Sequence, residues 1–389
     1  MQQHIVHTTG KVLSVKDIHN MKAAVNKEHG DVTTVLEDYT RRNPNTDVRV
    51  LVNDDDVVNM IFMQTESMKE CFSKFPEVLL LDGTYSINNC GMPLYAFLAE
   101  DGNGHGQIVG LFLLARENAV DIKSMVEIFA SANPTVADTK TVVVDKDFSE
   151  IAALQTVLPH VALQLCTFHC IKAVKAKLST LAISTDEKRD LLAIFRKLLY
   201  AKDEAEFQGL TEQIHTKSQV FLDYLAQNWF PIKERWVHYM KNCHLNLGNT
   251  TTNRIESQFG KLKQLLQSKV SLALCLRQLL QFADSIRGSM SFSTFTMQNK
   301  TSYNTKLSSD EGRFFGLCTR YACDRIVRSI EKAQREHYTV THNTSSDGTH
   351  SVHNSRKNLT YTVDNLSSCS CLYYSSCLLP CKHVFAVRK

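Results

Sequence analysis

The C-terminal stretch CSCLYYSSCLLPCKHVFAVRK places Cys369, Cys371, Cys377 and Cys381 within thirteen residues and follows them with His383. Cys369 and Cys371 are separated by one residue, as are Cys381 and His383, so a short turn or strand end can present both donors of each pair. Three thiolates and one imidazole in two short pairs suit a closed tetrahedral Zn²⁺ shell. Cys377 falls outside this pattern and is the substitute for Cys381 should Pro380 constrain the turn. Eight further cysteines, Cys71, Cys90, Cys166, Cys170, Cys243, Cys275, Cys318 and Cys323, are scattered. The opening MQQHIVHTTG has no basic segment leading into an apolar one, so a reducing compartment is expected and disulfides are not the default.

A second set of residues carries hard oxygen donors. Asp82 closes the apolar run LLLD, and Asp145 closes VVVD. A carboxylate at the end of a buried strand must be solvated, hydrogen-bonded or bound to a cation. If the two strands lie side by side, both carboxylates emerge at one edge and repel each other unless a metal neutralises them. Mg²⁺ or Mn²⁺ suits such donors, and two ions about 4 Å apart can hold the attacking and leaving oxygens of a phosphodiester. A third carboxylate is then expected, and TTNRIESQFGKLKQLL offers Glu256. Asp147 is the second choice. Ordinary turn and cap chemistry is the competing account of both aspartates.

The elements that must position these residues follow from periodicity. Residues 15–40 read as helical, with a stop at Gly30. Val48, Val50 and Val52 alternate into the turn Asn53–Asp56, and Val57, Val58, Met60 and Phe62 return as a second strand. A short helix over Ser67–Phe75 ends at Pro76. VLLLDGTYS, LYAFLAEDGNGHG and IVGLFLLA then form an antiparallel meander. Val120–Ala132 is a helix, TVVVD a strand, Ser149–Leu158 a helix and VALQLC a strand, an order that implies parallel pairing through right-handed crossovers. The sum is a mixed five-stranded sheet. Residues 170–245 lack strand alternation and read as all-helical, 253–287 adds one or two helices, and Thr339–Ser370 reads as loop with short strands.

At 389 residues and 43% hydrophobic content the chain can bury a substantial core, which excludes a disordered tail protein. No apolar run approaches the ~20 residues that span a bilayer. The net charge of +4 is uninformative, but its distribution is not. Residues 1–110 carry 9 basic and 15 acidic side chains, whereas residues 254–389 carry 19 and 9. A basic C-terminal third makes a polyanionic partner plausible. Arg254, Lys261, Lys263, Lys269, Arg277 and Arg287 bracket Glu256, and Arg320, Arg325, Arg328, Lys332 and Arg335 recur at helical spacing.

LLLDGTYSIN, VVVDKDFSEIAAL, LQLCTFHCIKAV and TTNRIESQFGKLK together resemble the ribonuclease-H-like core of Mutator-like transposases. Over residues 50–389 the chain is most similar to domesticated zinc finger SWIM domain-containing proteins of types one and three. The resemblance implies an α/β ribonuclease-H-like core with an Asp-Asp-Glu triad on Asp82, Asp145 and Glu256, holding Mg²⁺ or Mn²⁺ in an active enzyme. It also implies a helical insertion, matching the helical block over 170–245, and a SWIM finger whose Zn²⁺ ligands are Cys369, Cys371, Cys381 and His383. Cys166 and His169 match the family's Cys-x2-His step near the active site, and are expected to be structural or DNA-proximal together with Arg254, Lys261 and Lys263. The expected organisation is an N-terminal region over 1–76, core over 77–170, insertion over 171–250, end of core over 251–338 and finger region over 339–389. A finger of this kind usually carries more chain after the last ligand, so continuation beyond residue 389 is expected.

Two functional classes follow. One is a nuclear, zinc-binding, transposase-derived protein that binds DNA or chromatin partners, or serves as a protein-interaction adaptor through its finger. The other is an active metal-dependent transposase or nuclease. DNA is the expected partner, and a membrane is not expected.

Overall fold

The computed structural model describes residues 5–7, 12–13, 32–53, 57–85, 87–266, 269–299, 309–342, 348–356 and 358–388. Of the helix expected over 15–40, residues 15–31 lie outside these, and Val32–Arg42 is helical. The chain divides into two units. The first comprises residues 1–101, 105–163 and 251–301; the second comprises 102–104, 164–250 and 302–389.

The first unit is built on a mixed sheet. Its strands are β1 (Ile5–His7), β2 (Val12–Leu13), β3 (Asp47–Val52), β4 (Val58–Gln64), β5 (Val78–Thr84), β6 (Leu94–Glu100), β7 (Gly106–Leu114), β8 (Thr141–Val144) and β9 (Ala162–Leu165), in the order β2-β1-β3-β4-β7-β6-β5-β8-β9. The meander β5-β6-β7 is antiparallel and β8 lies parallel to β5, as expected. The sheet is wider than the five strands expected. The β3-β4 hairpin joins it through antiparallel pairs running from Met60↔Leu114 to Met63↔Leu111. The physical reason is burial on both faces, since Met60, Ile61 and Phe62 are all fully buried and a free-standing hairpin cannot cover consecutive apolar residues.

Helices cover the sheet. Ala119–Ala132 starts where the Asn118 side chain accepts from the Asp121 amide, and sets Phe129 against Phe97 with ring centroids 4.1 Å apart and against Phe72 at 5.2 Å. Phe148–Val157 starts at Asp147, whose Oδ1 accepts from the Ser149 and Glu150 amides at 2.8 and 3.0 Å. Asp147, the second-choice ligand from sequence, therefore works as a helix cap.

The second unit contains the helical block, from Thr167–Thr180 through His238–Lys241. Its core is aromatic: Phe195 stacks on Trp236 at 5.4 Å, and Trp236 donates from Nε1 to the Trp229 carbonyl at 2.8 Å. The region expected to be loop with short strands after Thr339 forms an antiparallel sheet of β10 (Tyr338–His342), β11 (Thr349–Asn354), β12 (Leu359–Asp364) and β13 (Ser368–Cys369). Val352 and Val363 are buried while Val340 and Leu359 are exposed, so its alternation lacks the apolar contrast by which strands are read.

Lys241 is 1% exposed, donating to Thr167 Oγ1 at 2.9 Å. Burial lowers its pKa from the usual 10.5 to about 8. Between those values the unfolded chain holds a proton that the folded chain does not, so the free energy of unfolding rises with pH across that window. Lys241→Met is expected to flatten this rise in urea titrations run at several pH values. In the first unit, Phe129→Ala is expected to cost about 3–5 kcal/mol by urea denaturation, because three packed rings lose their centre.

Candidate metal centres

The finger ligands converge. Cys369 ends β13, Cys371 precedes the helix Leu372–Cys377, Cys381 precedes the helix Lys382–Val387, and His383 lies in that helix's first turn. All four are buried, and their three Sγ atoms and one imidazole nitrogen lie within 4.8 Å of one another. His383 Nδ1 stands 3.6 Å from Cys369 Sγ and 3.7 Å from Cys381 Sγ. Those are the edge lengths of a tetrahedral shell with metal–sulfur bonds of about 2.3 Å. Hydrogen bonds with Cys371 and Cys381, then burial, push the Cys369 thiol far up, while hydrogen bonds with Cys369 and Cys371 hold Cys381 far down. One thiolate is thus held by two neutral thiols, whose protons a bound cation would displace. The donor set fits Zn²⁺.

The imidazole is fixed by packing. Tyr361 stacks on His383 at 3.9 Å, Tyr338 meets its edge at 5.5 Å, and its buried Nε2 has no hydrogen-bond partner. Glu336 ties the surrounding pieces together, accepting from Lys382 at 2.7 Å, from Asn354 at 3.0 Å and from the Tyr338 hydroxyl. Cys377, surplus to the ligand set, lies with its Sγ 3.6 Å from Arg325 Nη1, and Arg325 also donates to the Leu247 carbonyl at 3.0 Å. The Ser376 carbonyl accepts from the Asn246 and Leu247 amides at 3.0 and 2.8 Å.

At the sheet, the parallel register pairs Val78 with Thr141, Leu79 with Val142 and Leu80 with Val143. Continued by two residues, it sets Asp82 beside Asp145, so both side chains leave the same face of adjacent strands spaced about 4.8 Å apart. Asp82 is buried and its Oδ1 accepts from the Gly83 amide at 2.8 Å. Glu117, just past β7, accepts from the Tyr85 and Tyr95 hydroxyls at 2.7 and 2.6 Å. Burial and the Glu117 bond raise the Tyr85 pKa to about 12.

Glu256 lies in the first turn of the helix Asn253–Leu265. That turn is anchored by Arg254, which pairs with buried Glu100 at 3.2 Å, and by Gln258, which donates to the Gly106 carbonyl at 2.6 Å. Glu100 lies four residues along β6 from Ala96, the partner of Asp82. Among the described residues, the oxygens of Asp82, Asp145 and Glu256 do not all come within 4.8 Å of one another. Arg254, expected to be DNA-proximal, has a structural ion pair, whereas Lys261 and Lys263 are exposed on the same helix. Cys166 is buried at the start of the helix Thr167–Thr180, and the His169 ring meets Phe168 edge-on at 5.2 Å.

Sequence reasoning missed Glu150. Its signal was present, because Glu150 shares an i, i+4, i+8 stripe with Leu154 and Leu158, both buried. Burial first, then the charges of Asp147, Asp145, Asp82 and Glu117, hold its carboxyl well above the usual range.

The mixed sheet with its crossover helices in the first unit, and a buried group of three cysteines and one histidine in the second, define an α/β protein with a candidate zinc centre. Residues 37–164 match the family described as zinc finger SWIM domain-containing protein 1/3, RNaseH-like domain. The chain is 25% identical over 313 residues to human uncharacterized protein ZSWIM9, covering 72% of this chain and 46% of that protein. It is 24% identical over 278 residues to the mouse ZSWIM9 protein, covering 66% and 59%. To FAR-RED IMPAIRED RESPONSE 1 of Arabidopsis thaliana it is 21% identical over 259 residues, covering 64% and 30%. The chain thus spans about half the length of the ZSWIM9 proteins it matches. Together the matches support a ZSWIM-type protein with a ribonuclease-H-like domain over residues 37–164. No helix among the described residues is long and apolar enough to cross a membrane.

Removing zinc is expected to abolish amide protection over 368–388, with Cys381→Ser reproducing the loss; hydrogen exchange and zinc content by atomic absorption check both.

Proposed function

We propose that the chain is a nuclear, transposase-derived protein that binds DNA through its ribonuclease-H-like core, with the finger as a zinc-dependent structural module. The observation that carries this reading is the parallel register of β5 and β8, which, continued two residues past Leu80 and Val143, brings Asp82 opposite Asp145. Two carboxylates held side by side repel, and a Mg²⁺ or Mn²⁺ ion both relieves that repulsion and meets a phosphate oxygen. In an enzyme of this architecture such an ion would polarise a phosphodiester. In a binding protein it would bridge the carboxylates to the DNA backbone. Exposed Lys261 and Lys263 on the Asn253–Leu265 helix support the reading, because they offer phosphate contacts.

Fluorescence anisotropy with labelled duplex DNA across a salt series tests it. Affinity is expected to fall steeply with salt, and Lys261→Ala with Lys263→Ala to reduce the logarithmic slope by about two. Binding indifferent to both salt and these substitutions would overturn the reading. The same duplex incubated with Mg²⁺ or Mn²⁺ separates the two classes: cleavage lost in Asp82→Asn assigns an active nuclease, and an uncut duplex assigns a binding protein.

A further inference from the structure

The hairpin of β10 and β11 holds two histidines outside the cysteine shell. His342 and His350 are direct cross-strand partners in the antiparallel register, so both side chains leave the same face. Their ring centroids are 4.9 Å apart, with the ring planes at 68°. His342 is exposed and His350 is partly buried, yet His350 Nδ1 is itself buried with no hydrogen-bond partner. Edge-on packing accounts for the meeting of the rings. It leaves that nitrogen unsatisfied, whereas a buried polar atom normally has a partner.

A borderline metal ion is the partner that two facing imidazoles suit. Imidazole nitrogen binds Zn²⁺, Cu²⁺ and Ni²⁺, whereas Mg²⁺ and Ca²⁺ prefer oxygen. Two imidazoles on one tetrahedral Zn²⁺, with Zn–N bonds of about 2.0 Å, place their ring centroids about 5 Å apart. The pair already stands at that separation. It is also separate from the cysteine shell. The register continues from His350 to Val363 and from Val363 to Cys369, so a fully buried valine lies between His350 and Cys369 in that row. Two strand spacings, about 10 Å, separate them. At the other end of β10, Tyr338 meets the edge of the His383 ring.

We propose that His342 and His350 form a second, exchangeable zinc site, with water completing the shell. Two protein ligands in place of four make it weaker than the shell of Cys369, Cys371, Cys381 and His383, so it fills after the finger. Its occupation clips β10 to β11 at the end where residues 343–349 join them, and so stiffens the hairpin that carries Tyr338 against His383.

The test is Zn²⁺ titration by calorimetry of the full chain already loaded with one equivalent of zinc, with thermal unfolding measured before and after. The wild type is expected to bind one further ion and to melt at a higher temperature with it. His342→Gln and His350→Gln are each expected to weaken that second event at least about tenfold while keeping the first ion, because losing a ligand costs no less than losing its outer support. His342 is exposed, so its substitution removes a ligand without disturbing the packing. His353→Gln is expected to bind as the wild type does, since His353 lies on the opposite face of β11, 3.1 Å from Thr360 Oγ1. No second event in the wild type overturns the proposal. A second event of unchanged affinity in His342→Gln and His350→Gln also overturns it and assigns the extra ion to other surface groups. Equal weakening by His353→Gln does the same, because the loss would then not be specific to the pair.

Discussion

Like charges brought to one edge of a sheet are the constraint on which the core's chemistry depends. The pairing of β5 with β8 is driven by apolar burial: Val78, Leu79, Leu80, Val142 and Val143 are at most 1% exposed. That register has an electrostatic consequence, since continued two residues past Leu80 and Val143 it brings Asp82 opposite Asp145. Asp147 then caps the next helix, Glu117 binds two tyrosine hydroxyls, and Glu150 is drawn under the first turn. Hydrophobic pairing, worth roughly 25 cal/mol per Å² buried, therefore holds the acidic groups together against their repulsion.

The finger solves a related problem with softer donors. Three cysteines and an imidazole crowd into one buried shell, where hydrogen bonds from Cys369 and Cys371 favour the thiolate of Cys381. The scaffold around the shell is itself polar: Glu336 gathers Lys382, Asn354 and Tyr338, and Arg325 reaches the Leu247 carbonyl. Tyr361 and Tyr338 fix the His383 ring by packing where a hydrogen bond to Nε2 would ordinarily do so. The apolar cluster here is small, so a metal bound at these four residues would have a large share in the stability of this segment.

How much of this was legible depended on whether the signal was local. The meander, the crossover strands and the helical block showed in periodicity, and the convergence of Cys369, Cys371, Cys381 and His383 showed in their spacing, because adjacent pairs need only a short turn to converge. The hairpin's place in the sheet did not show, since pairing of Met60 with Leu114 is a long-range choice made by burial. Arg254 looked like a phosphate contact because its partner Glu100 is distant in sequence. The β10–β13 sheet was hidden by its threonines, serines and histidines. Glu150 was overlooked because an acidic residue in a first helical turn normally needs no further explanation.

The central claim is that the edge formed by β5 and β8 is a cation site. Anomalous diffraction from crystals soaked in Mn²⁺, recorded above and below the manganese edge, measures this most directly. The account predicts a manganese peak between Asp82 and Asp145, distinct from a zinc peak at Cys369, Cys371, Cys381 and His383. A zinc peak at the finger with no manganese density at the sheet edge would contradict it.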